Sequence, residues 1–169
     1  MTPPRAVPAV VLALLLAGCT RPVEVEPGEY AADPVCGQVI VALPQELNGQ
    51  SQTPTTAQAT VAWGTDSPIV LRCGVEPPPP SDERCIAVTS PAGVEIDWLA
   101  PEGDSELIPK HAQVDTGAWT FITYGRTPAI ELVIPAESGI SEPLDILNSL
   151  ALAVDNAPAE RFCVGATDY

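Results

Sequence analysis

Five cysteines are the strongest constraint on how this chain can fold, and their number is odd. An odd set in an exported protein leaves one thiol outside any intramolecular pairing. The first of them, Cys19, closes the longest apolar run of the chain in "LLLAGCT", Leu14 to Thr20. Arg5 stands ahead of that run as a short positive segment, and Ala6 to Ala17 is apolar, interrupted only by Pro8. Crossing a ~30 Å hydrocarbon core takes about 20 apolar residues, so the run is too short to span. Residues 1–18 read as an export signal and not as a transmembrane helix.

The signal ends in Leu16-Ala17-Gly18-Cys19, which matches the bacterial lipobox: a leucine, two small residues, then an obligatory cysteine. The match implies diacylglycerol transfer to the Cys19 thiol, cleavage before it, and a mature N-terminus carrying lipid. Two or more acyl chains give stable membrane residence where one gives only marginal binding. The expected location is the outer face of the cytoplasmic membrane, with the bilayer as partner through the lipid on Cys19.

Four cysteines then remain: Cys36, Cys73, Cys85 and Cys163. An oxidising compartment turns an even set into disulfides, and four allow three pairings. Cys73–Cys85 with Cys36–Cys163 is the preferred pairing, because the other two make a terminal cysteine cross into the central strands. On loop entropy the short bridge contributes roughly 3 kcal/mol and the long one roughly 5 kcal/mol. No CxxC occurs and the single histidine, His111, is far from any cysteine pair, so neither a metal nor another cofactor is expected.

Twenty-two acidic residues against seven basic ones give a net charge of −15. No basic stripe could displace counterions from a phosphate backbone, so nucleic acid is not an expected partner. Adsorption to anionic lipid heads is disfavoured for the same reason, and the acidity serves solubility. Residues 19–33, the lipidated cysteine followed by an acidic, proline-containing stretch, read as a tether reaching at most ~45 Å at ~3.3 Å per residue.

Residues 34–169 read as one domain. Asp33-Pro34 has the form of an N-cap followed by proline at the first helical position, and Val35, Val39, Ile40, Leu43 and Leu47 share one helical face. A helix is expected from about Pro34 to Leu43, then a loop through "NGQSQTPTT". "AQATVAWG" alternates, and "SPIVLRCGV" is a continuous apolar run of strand length broken by Arg72. "RCIAVTS" and "VEIDWL" flank a glycine-containing turn, and "AWTFITYG" and "PAIELVIP" flank Arg126-Thr127, so both read as hairpins. Helical spacing returns in "ISEPLDILNSLALAVDNA", with Ser141 as N-cap and Ile146, Leu147, Leu150 and Val154 on one face. The expected fold is α+β: a small antiparallel sheet of two hairpins plus further strands, with N- and C-terminal helices packed on one face and two disulfides as staples.

"CGQVIVALPQELNG", "WGTDSPIVLRCGV", a cysteine within a dozen residues, "IDWL", "FITYGRTPAIELVIP" and a late cysteine together resemble an actinobacterial lipoprotein family, domain of unknown function 3515. The resemblance covers about Asp33 to Cys163 and implies a lipid-anchored envelope protein with two disulfides. It brings no activity, substrate or catalytic residue.

Three places carry residues that packing alone does not call for: Arg72 inside an apolar strand, Asp97 beside Trp98, and Tyr124-Gly125-Arg126. A charge inside a strand has a partner as a rule. One reading is a structural ion pair of Arg72 or Arg126 with Asp97 over the Trp98 ring. The other is a pocket in which both guanidinium groups face a carboxylate or phosphate ligand, with Trp98 and Tyr124 as walls. There is no GxSxG, and His111, in a polar loop, reads as a surface residue, so no catalytic residue is assigned. Pro77 to Pro80 read as stiffening for a disulfide-bounded loop ahead of a polyproline ligand. The functional expectation is a binding or scaffolding module for an envelope protein or cell-wall ligand. The alternative is a carboxylate-based enzyme acting on cell-wall material.

Overall fold

The computed structural model describes residues 21–164 apart from 114 and 116. Cys19 and the signal segment 1–18 lie outside the described residues. Asp33 does cap the first helix, α1 (Pro34–Ala42), accepting the Val35 amide at 2.8 Å on Oδ1. Proline at the first turn costs nothing there, since that N–H has no intrahelical partner. The Pro44 carbonyl beyond the helix accepts the indole N–H of fully buried Trp63 at 2.9 Å.

The stretch expected as a loop opens instead with a small hairpin, β1 (Glu46–Leu47) and β2 (Gln50–Thr53). Its turn is Asn48-Gly49, with φ of 49° and 74°. Two positive φ values are what a two-residue type I′ turn demands, and Asn-Gly is its favoured sequence. There follow β3 (Thr60–Trp63), β4 (Ile69–Val75), β5 (Cys85–Thr89), β6 (Glu95–Leu99), β7 (Trp119–Thr123) and β8 (Ala129–Ile134). The chain then makes a 3-10 turn and forms α2 (Pro143–Val154). Glu142 and not Ser141 occupies the cap position of α2. Ile146, Leu147, Leu150 and Val154 are buried as their spacing requires.

The architecture is mostly sheet. Eight strands form one antiparallel sheet in the order β1-β2-β3-β4-β8-β7-β6-β5. Both expected hairpins, β5–β6 and β7–β8, are present. Strand alternation sends Trp63, Leu71, Cys73, Ile130, Leu132, Phe121, Ile96 and Trp98 into one core with residues of α1 and α2. The helices touch one another, α1 touches β4, and α2 touches β5 and β6.

The disulfides are Cys36–Cys73 and Cys85–Cys163, which overturns the preferred pairing. The sheet order explains why. Cys73 in β4 and Cys85 in β5 are close in sequence, but β8, β7 and β6 lie between them. Four strand spacings of ~4.8 Å put them about 19 Å apart, and a disulfide tolerates about 7 Å between Cα atoms. Their side chains also leave the sheet on opposite faces. Cys73 meets α1 on the core face, while Cys85 meets the C-terminal tail on the other.

This changes the role of Pro77–Pro80, which stiffen no disulfide-closed loop. Strands β4 and β5 run in the same direction, so residues 76–84 must cross the breadth of the sheet. In the extended polyproline conformation they reach about 28 Å at ~3.1 Å per residue, enough for that span. Pro78 is buried, and its carbonyl accepts from Arg161 Nη2 at 3.4 Å.

Part of the segment read as a tether lies against the domain. The Val23 amide donates to the Pro54 carbonyl at 2.8 Å, the Thr56 amide to the Val23 carbonyl at 3.0 Å, and the Tyr30 amide to the Gly74 carbonyl at 2.7 Å. Gly74 sits at a bulge in β4 with φ of 90°, and a Cβ there would meet the Tyr30–Ala31 backbone at 2.5 Å. Only glycine admits both that conformation and that approach.

Candidate functional site

On the face away from the helices the strand registers align one row across the sheet. Thr60 stands opposite Arg72, Arg72 opposite Glu131, Glu131 opposite Ile122, Ile122 opposite Leu99 and Leu99 opposite Cys85. Arg72 and Glu131 form a two-toothed pair, Nε to Oε1 at 2.7 Å and Nη2 to Oε2 at 2.8 Å. Their side chains are 12% and 5% exposed. Arg72 Nη1 also donates to the Glu26 carbonyl at 3.2 Å, which ties the N-terminal segment to the pair. A guanidinium has five N–H donors, so two remain free of these three bonds.

Above the pair opens a cleft of about 1030 Å³. Its walls are the N-terminal segment (Glu24, Val25, Glu26), strand β4 (Val70, Arg72) and a loop carrying Pro109, Lys110 and His111. His111 Nε2 lies 3.9 Å from Glu131 Oε1, too far for a hydrogen bond. Burial lowers the His111 pKa below its ordinary 6.5; the nearby Glu131 carboxylate opposes the shift, Arg72 adds to it and Glu26 opposes it. The ring is therefore mainly neutral at pH 7, with one nitrogen a donor and the other an acceptor.

The residues singled out in the sequence are divided between structural tasks. Arg72 pairs with Glu131 and not with Asp97, which lies three strands away in β6. Arg126 holds the end of α2: Nη1 donates to the Ala157 carbonyl and Nη2 to Asp155 Oδ1 at 3.2 Å. A cation there also complements the negative end of the helix dipole. Trp98 lies in the core against Phe121, ring centroids 6.4 Å apart, on the face opposite to Asp97. Tyr124 lies under the Arg161 guanidinium at 5.6 Å. The two guanidinium groups thus do not converge, and neither pairs with Asp97. Arg72 alone of the five lines the cleft, beside His111, whose polar loop suggested a surface residue, and its sequence neighbour Lys110. The one mark they carry in the sequence is scarcity, which says nothing of location: Lys110 and His111 are the only lysine and the only histidine in the chain.

Asp97 is 6% exposed, and its Oδ2 accepts the Cys163 amide at 3.0 Å. Burial pushes its carboxyl above the ordinary 3.8; the Cys163 amide opposes this, Glu95 adds to it and Arg126 opposes it. A carboxyl whose folded pKa is raised contributes stability that is full below the unfolded value and is lost as pH rises through the folded one. Asp97→Asn keeps an acceptor for the amide and removes the buried charge. Its melting temperature should therefore gain on that of the native chain as pH rises from about 4 to 7. A difference that stays constant with pH would remove the buried charge from the account.

No curated protein and no solved structure matches the chain. The model of one family, described as protein of unknown function (DUF3515), matches residues 5–161. That is nearly the whole length, and the chain belongs to this family.

Proposed function

We propose that the protein is a lipid-anchored envelope lipoprotein of the outer face of the cytoplasmic membrane, and that it works as a binding module through the Arg72–Lys110–His111 cleft. One observation carries the reading. The cleft is walled by the N-terminal segment that leads back to Cys19, so anchor and site are built from the same stretch of chain. Support for the anchor comes from the Leu16-Ala17-Gly18-Cys19 motif and from a family match that runs from residue 5 through Cys19. Two disulfides suit an oxidising compartment. At about 1030 Å³ the cleft stands at the upper end of small-ligand sites, ~300–1,000 Å³, and its walls combine apolar Val25, Val70 and Pro109 with a larger set of polar and charged side chains.

The anchor is tested by mass. In cells treated with a globomycin-type inhibitor of lipoprotein signal processing, the signal-bearing precursor should accumulate. Without inhibitor, the mature chain should begin at Cys19 and carry the added mass of diacylglycerol. A mature mass that the inhibitor leaves unchanged would sink the lipoprotein reading.

A further inference from the structure

We infer that the cleft is an oxyanion site for phosphate groups, presented to the headgroup layer by the docked N-terminal segment. This deepens the binding reading above and rests on it. Charge placement is the first argument. The whole chain has seven Lys and Arg residues against 22 acids, yet Arg72, its only lysine and its only histidine meet in one cleft. In a molecule of net charge −15 an anion is repelled from most of the surface, so a place that gathers donors is the place an anion can stay.

Donor geometry is the second. Glu131 holds the Arg72 guanidinium rigid from below, and two N–H groups of this cleft-lining side chain have no partner among the described residues. Lys110 adds a mobile ammonium group with three donors and no acceptor. A planar guanidinium beside a point charge is a phosphate-binding combination. The site works through directed donors and not through net charge: Glu131 is already engaged by Arg72, and Glu24 and Glu26, which also line the cleft, are exposed to solvent, which weakens their repulsion. At physiological ionic strength more distant acids are screened beyond ~8 Å.

Chain length is the third. Val23 is pinned to the domain by two backbone hydrogen bonds, with Pro54 and Thr56. From Cys19 to Val23 the chain can extend no more than ~13 Å at ~3.3 Å per residue, against ~45 Å for a free tether to Asp33. The cleft wall begins at Glu24, the next residue. A lipid on Cys19 therefore keeps the cleft beside the headgroups, where phosphate is concentrated. The phosphate can belong to a lipid or be free in solution, and the cleft chemistry is the same for both.

Lys110 supplies the readout, because a mass-detected amine-labelling rate at the chain's only lysine reports on this cleft alone. The lipidated protein is purified in neutral detergent and labelled with and without inorganic phosphate, with chloride matched for ionic strength. It is then labelled in vesicles of a phosphate-free galactolipid, with and without one-fifth phosphatidylglycerol. Phosphate at millimolar concentration should slow Lys110 labelling at least fivefold and move the His111 imidazole titration upward. His111→Ala, an exposed-loop change, should weaken the protection severalfold without altering the melting temperature. Protection in the phosphatidylglycerol vesicles without added phosphate assigns the lipid as source, and protection by inorganic phosphate alone assigns the free ion. No protection in either arm, and no shift of the His111 titration, overturns the site. The detergent arm does not depend on Cys19, so an unlipidated mass would end the anchor reading while leaving the phosphate result standing.

Discussion

Reduction of both disulfides should unfold the domain at physiological temperature. Cys36–Cys73 closes a separation of 37 residues and Cys85–Cys163 one of 78. In the loop-entropy account these contribute about 4 and about 4.5 kcal/mol. Domains of this size are stable by ~5–15 kcal/mol in total, so removing both takes most or all of the margin. Denaturant melts with and without a strong reductant measure the sum, and the paired variants Cys36→Ser/Cys73→Ser and Cys85→Ser/Cys163→Ser measure each share. A reduced protein that melts within a few degrees of the oxidised one would refute the estimate. The pairing is open to a separate test, because Arg72, Arg84, Lys110 and Arg161 put each of the four cysteines on its own tryptic peptide. A non-reducing digest should join the Cys36 peptide to residues 73–84, and residues 85–110 to the C-terminal peptide. A species joining 73–84 to 85–110 would restore the sequence-based pairing.

The pairing shows where sequence reading stops for this fold. Local signals were reliable: Asp33-Pro34 starts a helix, the Ile146-to-Val154 stripe is buried, and both expected hairpins, β5–β6 and β7–β8, form. The Asn48-Gly49 hairpin was also written in the sequence, but short polar strands hide from a search for apolar runs. What the sequence did not contain was the position of β8. It inserts beside β4 and carries β7, β6 and β5 away with it, so Cys73 and Cys85, close in sequence, end four strand spacings apart. Strand order is set by long-range packing, and no local period encodes it.

The candidate site follows the same logic. Arg72 was visible as a charge in an apolar strand, and its need for a partner was correctly read. The partner was not visible, because Glu131 sits in an equally apolar strand and becomes a neighbour only once β8 pairs with β4. His111 and Lys110 looked like ordinary loop residues, since nothing in a polar loop says which strand it will cover.

Breaking the Arg72–Glu131 pair should have the second large effect. Strand β4 ends the half-sheet built from β1 to β4, and β8 ends the half built from β5 to β8, so this pair lies on the seam between them. Glu131→Gln would leave the mostly buried Arg72 charge without its carboxylate. Removing one partner of a buried ion pair costs about 3 kcal/mol at the low end, and Arg72 at 12% exposed belongs there. That corresponds to a drop of about 10 °C in melting temperature for a domain of this length. Arg72→Met with Glu131→Leu removes both charges and fills the same volume, and such exchanges are often neutral or stabilising. The double variant should therefore regain most of the lost stability. If it melts as low as Glu131→Gln, shape and not charge is what the seam requires. The same protein separates folding from binding: it would be folded, would lack the rigid guanidinium, and should show Lys110 labelling that phosphate no longer slows. A site that needs Arg72 for chemistry must fail in that variant, while a site that needs it only to hold the sheet together must survive.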